Sequence, residues 1–329
     1  MSVLVTGGAG YIGSHMVWAL VDRGEDVIVL DRLSTGFDWA VAPEAKLVVG
    51  DIADDELVDR IVREHGVDAI VHFAGSIIVP ESVADPLGYY LNNTVKSRAL
   101  IASAVRNKIK HFVFSSTAAV YGNPAASPVP EDAPKLPMSP YGTSKLMTEM
   151  MLADVAAAHE FAYAALRYFN VAGADPHGRT GQSTAGATHL IKVACEVATG
   201  TRADMSLFGT DYDTPDGTAI RDYIHVSDLI AAHVQALAHL RATNESIIAN
   251  VGYSRGYSVR EVIAAVERVV GERLKVIEGP RRAGDSPRVV ADSRRVRETL
   301  GWEPRWDDLD TIVKHALSWE ESLKRRNQR

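Results

Sequence analysis

The chain contains little cysteine: Cys195 is the single one among 329 residues. One thiol cannot form an intramolecular disulfide, so the fold must depend on its hydrophobic core, and a reducing compartment is expected. Because Cys195 lies in the apolar segment 191–198, we interpret it as a buried structural thiol rather than as a catalytic nucleophile.

Long hydrophobic runs are missing as well. No stretch approaches the ~18 consecutive apolar residues that predict a transmembrane helix. The strand-like segment 2–5 starts almost at the first residue and Gly7 follows closely, which leaves no room for a signal peptide. We therefore expect a cytoplasmic protein without membrane partners.

Basic residues are too few for a nucleic-acid-binding surface. Lys and Arg total 35 against 42 Asp and Glu, a net charge of −7, whereas binding to phosphate backbones needs a basic patch. An anionic small molecule is not excluded, since it needs only a local positive pocket. The histidines are scattered, without a metal-ligand spacing next to cysteines, so no metal site is predicted.

The composition that remains is that of a folded protein. Hydrophobic residues make up 46% and charged residues 23%, which excludes disordered and collagen-like architectures. At roughly 150 residues per domain, the length predicts about two domains, or one large α/β unit with an addition.

Strand and helix patterns alternate in the first half of the chain. Alternation at this pitch predicts an α/β fold, a Rossmann-type doubly wound parallel sheet with helices on both faces. The buried-strand patterns occur at residues 3–6, 27–30, 46–49, 68–73, 111–115 and 163–167. Helical spacing occurs at residues 11–23, 54–65, 86–107 and 139–159.

The rhythm changes after about residue 170. We interpret residues 1–170 as a nucleotide-binding Rossmann domain and residues 171–329 as a smaller C-terminal α/β substrate lobe. The boundary is diffuse, with some C-terminal segments expected to return to the core. Loops rich in glycine, threonine and aspartate precede and separate shorter predicted helices at residues 190–199, 226–240, 258–271 and 309–324.

A glycine-rich turn follows the first strand and opens the first helix. Gly7, Gly10 and Gly13 have the G-x-x-G-x-x-G spacing that allows a tight turn and a close approach of the backbone to a pyrophosphate. Asp31 ends the second strand, where a carboxylate accepts the ribose hydroxyls and repels a 2′-phosphate. This context predicts NAD as the cofactor of residues 1–170, although Arg32 beside the aspartate could tolerate a phosphate.

Further residues of the first domain are predicted to complete the cofactor site. Asp51 and Ile52, after the third strand, are expected to hold the adenine ring by polar and apolar contacts. Residues 73–75 end the fourth strand at the carboxyl edge of the sheet, where ligands of such folds bind. The additional cofactor positions are Tyr11, Ile12, Ser34, Asp51, Ile52, Phe73, Ala74, Gly75, Asn92, Ser115 and Tyr168.

A tyrosine and a lysine with helical spacing form the candidate catalytic pair. Tyr141 and Lys145 are four residues apart and therefore share one helix face. Ser139 as N-cap and Pro140 in the first turn predict the start of that helix. A phenol titrates near pKa ~10, but an adjacent ammonium and a nicotinamide cation stabilise the phenolate and lower that pKa. Thr117, at the end of the fifth strand, would present a hydroxyl beside the tyrosine.

With these motifs the chain resembles the UDP-galactose 4-epimerases, a group of the extended short-chain dehydrogenase/reductase family. The run 216–226 is the most family-specific part, since the glycine turn and the Tyr/Lys pair are shared by the wider superfamily. The matching segments extend over nearly the whole chain: residues 6–15, 73–75, 89–93, 114–122, 141–145, 167–170, 208–212, 216–218 and 221–226.

The resemblance implies an NAD-dependent isomerase that interconverts UDP-glucose and UDP-galactose. Tyr141 would remove the proton of the 4-hydroxyl while C4 delivers hydride to NAD. The 4-keto sugar would then turn over in the pocket and take the hydride back on its opposite face. Lys145 would lower the tyrosine pKa and hold the nicotinamide ribose, and Tyr141 would also belong to the cofactor site. Thr117 replaces the serine usual in this family, but it keeps the hydroxyl for substrate contact.

Two alanines after the hydroxyl residue separate this chain from related sugar-nucleotide enzymes. Dehydratases and decarboxylases of the same fold carry acidic residues there, which assist elimination or later proton transfers. Ala118 and Ala119 cannot move protons. The resemblance therefore implies oxidation and re-reduction at one carbon without elimination.

The substrate positions follow from the same resemblance. Arg221 and Arg282 match diphosphate-binding arginines, and Asp285 matches a contact to the uridine ribose. His189 replaces an asparagine of the family and is a candidate for a diphosphate contact, with a structural role as the alternative. The remaining matched positions, on the uracil and diphosphate sides, are Asn170, Leu190 and Phe208.

Other departures from the family pattern concern the sugar pocket and the cofactor. Val289 stands where a tyrosine narrows the pocket of relatives restricted to plain hexoses, so we expect N-acetylhexosamines to be accepted as well. Ile77 stands where some relatives carry a lysine near the cofactor, and Pro80 replaces a glycine of the following loop.

Several functions remain open at this point. A 4-epimerase of UDP-N-acetylglucosamine or of UDP-pentoses, or a bifunctional hexose and N-acetylhexosamine epimerase, would use the same motifs. A net dehydrogenase is a further alternative. A noncatalytic NAD-sensing regulator is disfavoured, because such proteins lose the Tyr/Lys pair. A homodimer through the two long helices predicted at residues 86–107 and 139–159 would be typical of the family.

Overall fold

A parallel sheet forms the centre of the computed structural model, which describes residues 1–282 and 285–326. In chain order its seven strands are β1 (Ser2–Thr6), β2 (Asp26–Asp31), β3 (Lys46–Val49), β4 (Val67–His72), β5 (His111–Thr117), β6 (Ala162–Tyr168) and β10 (Ile247–Val251). Every neighbouring pair is parallel, and the order across the sheet is β10–β6–β5–β4–β1–β2–β3. The predicted Rossmann-type fold is confirmed.

Helices cover both faces of this sheet. Strand β1 shows why, because Val3 and Val5 join one hydrophobic cluster while Leu4 joins the cluster on the opposite face. Strands buried on both sides read as continuous apolar runs. The described helices are α1 (Tyr11–Val21), α2 (Asp55–His65), α3 (Val79–Ala84), α4 (Pro86–Tyr89), α5 (Lys96–Arg106), α6 (Pro140–Ala158), α7 (Leu190–Ala198), α8 (Val226–Thr243), α9 (Val259–Val270), α10 (Arg294–Leu300) and α11 (Leu309–Arg326).

The C-terminal half contributes two small sheets. One contains four strands, with β9 (Ile220–His225) bonded to the other three: β7 (Asn170–Ala172), β11 (Gly256–Ser258) and β13 (Arg288–Val289). The other is a parallel pair, β8 (Met205–Phe208) and β12 (Val276–Gly279). These short strands position the loops that face the carboxyl edge of the central sheet.

One core strand has no counterpart in the sequence prediction. Strand β10 pairs with β6 in parallel, and α8 leads to it from β9, packing on α1, β5 and β6. Its sequence, four apolar residues interrupted by Asn250, is too short to be assigned to a strand by periodicity alone. Residues 226–251 therefore pack with the Rossmann core, while a domain boundary at residue 170 stays a prediction.

The helix predicted at residues 86–107 is helical without a break through residue 106, but it contains a π-helical segment. Helix α4 is followed by a π-helical segment, Tyr90–Val95, before α5 begins. This segment buries Asn93, whose Oδ1 accepts the Ser76 amide at 2.7 Å and whose Nδ2 donates to Ser144 Oγ at 3.1 Å. The irregular segment thereby ties the loop after β4 to α6, which is a common use of π-helical distortions near functional sites.

The structure bears on two expectations drawn from composition, a structural role for Cys195 and the absence of transmembrane helices. Cys195 is buried on α7, and burial raises the pKa of its thiol to about 12, which fits a structural thiol. No helix in the described part of the chain is both long and apolar enough to cross a membrane.

Candidate active site

The carboxyl edge of the central sheet opens into a cavity of about 710 Å³. Open α/β sheets bind their ligands at this position. The predicted residues that line it are Gly7, Gly10, Tyr11, Ile12, Gly13, Asp31, Ser34, Asp51, Ile52, Phe73, Ala74, Gly75, Asn92, Ser115, Thr117, Tyr141, Tyr168, Asn170, His189, Arg221, Asp285 and Val289. Four other predicted site residues do not belong to the lining: Lys145, Leu190, Phe208 and Arg282.

The glycine turn at one end of the cavity tolerates no side chains at two of its positions. Gly7 has a φ of +70°, and a Cβ there would lie 2.6 Å from the Ala74 amide nitrogen. A Cβ on Gly13 would lie 2.1 Å from the Gly7 carbonyl oxygen. Gly10 is the N-cap of α1 and offers no side-chain cap, so the first amides of the helix are left for a ligand. This cradle fits the pyrophosphate of NAD.

Asp31 is held in the cavity wall by two backbone bonds. Its Oδ2 accepts the Ala9 amide at 3.0 Å, and its Oδ1 accepts the Leu33 amide at 2.8 Å. Each carboxylate oxygen keeps a further lone pair for a ribose hydroxyl. Arg32 is already engaged, since its Nε donates to Ser34 Oγ at 3.1 Å. The residues present therefore fit NAD without a 2′-phosphate.

Lys96 is a cavity residue that the sequence motifs do not mark. It lies on α5, 45 residues beyond Asp51, and its ammonium donates to the Asp51 carboxylate. Burial tends to raise the Asp51 pKa, but the Lys96 bond and the Ala53 amide hold that pKa below its ordinary value. Asp51 is therefore an ionised, oriented acceptor on the predicted adenine side.

Tyr141 lies in the cavity wall next to Thr117. Burial raises the pKa of the phenol, and a hydrogen bond with the Thr117 side chain partly offsets this effect. The tyrosine is 8% exposed, so its hydroxyl is sheltered from bulk water. Within the chain alone the Tyr141 pKa is thus raised, and the predicted lowering also invokes the nicotinamide cation, which the chain does not supply.

Lys145 lies behind the cavity wall rather than in it. Its Nζ donates to the Ser115 carbonyl oxygen at 2.9 Å and lies 4.9 Å from the centre of the Phe114 ring. Burial lowers the Lys145 pKa to about 8, against the opposing effect of the Glu149 carboxylate. Because its pKa lies only slightly above neutral pH, this buried ammonium loses its proton more easily than an exposed lysine does. Its hydrogen bond to Ser115 fixes it to β5, the strand that ends at Thr117.

A buried ion pair supports both catalytic elements. Arg167 on β6 donates to Glu149 on α6 at 2.6 Å, with both side chains almost fully buried. Ser116 Oγ donates to the same carboxylate at 2.5 Å. Because Glu149 lies one turn beyond Lys145, this network fixes α6 against β5 and β6. Sequence reasoning missed it, since neither residue belongs to a catalytic motif.

At the lobe end of the cavity, strand pairing brings three predicted substrate residues together. Arg221 on β9 is the register partner of Val289 on β13. Its Nη2 lies 3.8 Å from Asp285 Oδ1, and its Nη1 donates to the Ile220 carbonyl at 2.9 Å. A single arginine is therefore oriented toward the cavity beside a carboxylate, as an anionic ligand with a neighbouring sugar would require.

The remaining predicted substrate residues are arranged differently. Arg282 stacks on Phe208, with its guanidinium carbon 4.0 Å from the ring centre, outside the cavity lining. Leu190 begins α7 directly after His189. Gln182 lines the cavity although no motif predicts it, and its Nε2 lies 2.8 Å from His189 Nδ1. Burial lowers the His189 pKa, so this imidazole is neutral near pH 7.

The described residues include no group of three or more His, Cys, Asp or Glu side chains arranged to hold a metal ion. The site chemistry available from the chain is thus that of a phenol, a hydroxyl, a buried ammonium and an arginine around a dinucleotide cradle.

Comparisons with known proteins agree with this geometry. A model of the NAD dependent epimerase/dehydratase family matches residues 3–252. A UDP-glucose 4-epimerase of Azospirillum brasilense is 58% identical over 322 residues, which cover 98% of this chain and 92% of the relative. A crystal structure of UDP-glucose 4-epimerase from Bifidobacterium longum in complex with NAD+ and UDP has a TM-score of 0.93, 37% identity and 98% coverage of both chains.

A second similar solved structure belongs to a relative that is named for two sugars. The UDP-Glc/GlcNAc 4-epimerase of Campylobacter jejuni has a TM-score of 0.86 and 46% identity, covering 98% of this chain and 99% of that chain. From the matches in sequence and in fold, the chain belongs to the NAD dependent epimerase/dehydratase family and, within it, to the UDP-glucose 4-epimerases.

Proposed function

We propose that this chain interconverts UDP-glucose and UDP-galactose by oxidation and re-reduction at C4 of the sugar. One observation carries the proposal: a single cavity is lined by a dinucleotide turn, by Tyr141 with Thr117, and by Arg221. A ligand that fills it can contact a cofactor cradle, a base and an anion-binding cation together. The relatives named UDP-glucose 4-epimerase support the same reaction.

Tyr141 is the proposed base for the 4-hydroxyl and the proposed acid for the return step. Bound NAD supplies a reversible hydride acceptor and a positive charge on its oxidised nicotinamide. Such a charge favours the phenolate and counters the burial that raises the Tyr141 pKa. Since Thr117 Oγ1 already accepts the Ala119 amide at 3.1 Å, its own proton is free to bond the phenolate or the sugar oxygen.

Lys145 is the proposed support of that proton transfer. Its bond to the Ser115 carbonyl holds the ammonium close to the strand end that presents Thr117. From there it stabilises negative charge on the phenol through a low-dielectric environment, where Coulomb interactions are strong. The network of Glu149 and Arg167 keeps the lysine on this side of α6.

The proposed absence of elimination is supported by the two residues that follow Thr117. Ala118 and Ala119 both line the cavity directly after Thr117. A methyl group cannot take a proton from the sugar carbon next to a 4-keto group. The 4-keto sugar therefore has re-reduction as its exit, and Arg221 is proposed to hold its diphosphate while the ring presents its other face.

N-acetylhexosamine sugars are proposed as second substrates. Val289 lines the cavity beside Arg221, and it leaves space that a larger side chain would fill. The Campylobacter neighbour, which carries both sugars in its name, supports this broader range.

A homodimer is proposed from the apolar surface of the helical region 79–106 and of α6. Leu87, Leu91 and Val95 follow one another at four-residue spacing and are 78%, 56% and 51% exposed. Met147 and Met150 on α6 are 42% and 60% exposed. Exposed apolar side chains concentrated in one region are typical of protein interfaces. Light scattering should give twice the chain mass, and Leu91→Glu should give monomers, whereas Val49→Glu outside this region should not.

Product analysis tests the proposed reaction. Purified protein is incubated separately with UDP-galactose, UDP-N-acetylgalactosamine and UDP-xylose, and the sugars are separated by chromatography. The proposal expects the 4-epimer of the first two without net formation of NADH. A stoichiometric rise in NADH absorbance would instead indicate a dehydrogenase, and NAD binding without any turnover would indicate a regulator.

A further inference from the structure

The Gln182–His189 contact, which no motif predicts, lies in the cavity lining. Gln182 is 8% exposed, and its Nε2 lies 2.8 Å from His189 Nδ1. Both residues line the cavity, together with the loop 184–188 that joins them. A buried glutamine bonded to an imidazole is a fixed polar arrangement, because both groups would otherwise lose their hydrogen bonds.

The glutamine is the rigid member of this pair. Its neighbour Gly181 forms an isolated β-bridge with Ala174, and a Cβ on Gly181 would lie 2.4 Å from the Trp319 ring. The following residue, Ser183, bonds back to the Gly181 carbonyl at 3.1 Å. Position 182 is therefore held by its own backbone, while His189 stands at the N-cap of α7 without a side-chain cap bond.

The direction of the hydrogen bond determines the form of the histidine. The Gln182 amide nitrogen faces His189 Nδ1, and an amide NH₂ only donates, so in this orientation Nδ1 carries a lone pair and the ring proton is on Nε2. A neutral imidazole in this form has one N–H left, on the side away from Gln182. The same imidazole with its proton on Nδ1 would have no donor for an anion.

We propose that Gln182 is a positioning residue that holds His189 as the Nε2–H tautomer, so that a neutral imidazole donates to the diphosphate of a UDP-sugar. The identity of that anion rests on the proposed function, whereas the tautomer does not. Arg221 and Asp285 line the lobe end of the same cavity, and the small cavity that Gln182 also lines contains Lys192, which pairs with Glu320 and Glu196.

The first test is made on the wild-type protein without a ligand, and a variant serves only to assign the signal. Protein with ¹⁵N-labelled histidine is studied by long-range ¹H–¹⁵N NMR at pH 7, and His189→Asn assigns the signal by its loss. We expect a neutral ring with a pyrrole-type Nε2 and a pyridine-type Nδ1. A proton on Nδ1, or an imidazolium at pH 7, would overturn the assignment whatever the protein catalyses.

The second test reverses the hydrogen bond. In Gln182→Glu the carboxylate accepts from Nδ1–H and stabilises the imidazolium, so binding of UDP-glucose should become pH-dependent. We expect its affinity to fall about tenfold from pH 6 to pH 8, as the ring loses its charge beside a carboxylate. Wild type and Gln182→Met should show a nearly flat profile over the same range, with Gln182→Met binding more weakly throughout.

The double variant Gln182→Glu/His189→Asn separates His189 from the other charged groups. It should lose the pH dependence, because the titrating partner is gone. A pH dependence that persists in the double variant would overturn the proposal and point to Asp285 or the Lys192 pair. Failure of wild type to bind UDP-glucose at all would instead count against the proposed function, while the tautomer result would stand.

Discussion

The two ends of the cavity are built in different ways. The cofactor end consists of strand ends and the first turn of α1, where Gly7 and Gly13 leave no room for a Cβ and Asp31 is fixed by two backbone bonds. The substrate end consists of loops and short strands, in which Arg221 and Asp285 are 3.8 Å apart and a glutamine orients His189. The comparison shows that backbone geometry shapes the cofactor end, whereas side chains on loops and short strands shape the substrate end.

The largest effect is expected at Tyr141, which lies in the lining that the two ends share. Tyr141→Phe removes the proposed acid and base, and general acid–base groups contribute roughly 10²–10⁴-fold to rate. We expect kcat for UDP-galactose to fall by that factor while NAD content and UDP affinity stay near wild type. Tyr163→Phe, a buried tyrosine on β6 outside the cavity lining, is the matched control. Unchanged turnover in Tyr141→Phe would refute the assigned base.

The next effect should appear at the cofactor end. Gly13→Ala places a methyl group 2.1 Å from the Gly7 carbonyl, so the turn must shift, at a cost of about 1–3 kcal/mol. NAD should be lost on purification and Tm should fall. Gly279→Ala on β12, outside the cavity lining, is the matched control, because its Cβ would lie 3.7 Å from Phe208 Cδ1, an ordinary contact. Equal losses in both variants would contradict a cradle defined by backbone approach.

At the substrate end, Arg221 lines the cavity and Arg282 does not, so substitutions of the two arginines can be compared. Arg221→Leu removes a charged donor in the lining, and hydrogen bonds to charged groups contribute about 1.5–3 kcal/mol. UDP affinity measured by calorimetry should fall about 10- to 100-fold, with NAD content unchanged. Arg282→Leu should have a smaller effect, since Arg282 stacks on Phe208 outside the lining. A larger loss in Arg282→Leu would contradict Arg221 as the main cation for the diphosphate.

The smallest effect concerns stability rather than rate. Burial lowers the Lys145 pKa from 10.5 to about 8, so the unfolded chain binds more protons than the folded chain between these values. Wild-type stability should therefore gain from this group as pH rises from about 8 to 10.5. Lys145→Met should be more stable than wild type at pH 7, and its advantage should shrink above pH 8. Chemical denaturation of both proteins without added NAD at pH 7 and pH 9.5 measures this, and a widening advantage would contradict the sign.

The sequence predicts the cofactor end far better than the rest. Glycine spacing, the acid that ends β2 and the Tyr/Lys pair are local patterns, and of the residues they mark all but Lys145 line one cavity. Strand β10, the ion pair of Glu149 and Arg167, and the contacts of Lys96 and Gln182 depend on segments far apart in the chain. No local pattern encodes such contacts, so they become visible only when the fold brings the segments together.

Two further features of the structure are not encoded in the helical spacing of the sequence. The helix at residues 86–107 contains a π-helical segment, in which Asn93 bonds to both Ser76 and Ser144. The Tyr141 pKa is raised within the chain because burial outweighs the available hydrogen bond. Helical spacing predicts which residues share a face, but it does not predict how deeply that face is buried.

The central claim is that hydride leaves C4 and returns to C4 of the same sugar. Conversion of UDP-galactose to UDP-glucose in D₂O, followed by ¹H NMR of the product, tests this most directly. The account predicts that the proton at C4 is fully retained, because no solvent proton enters a carbon position between oxidation and re-reduction. Deuterium at C4, or at the neighbouring C3 or C5, would contradict it.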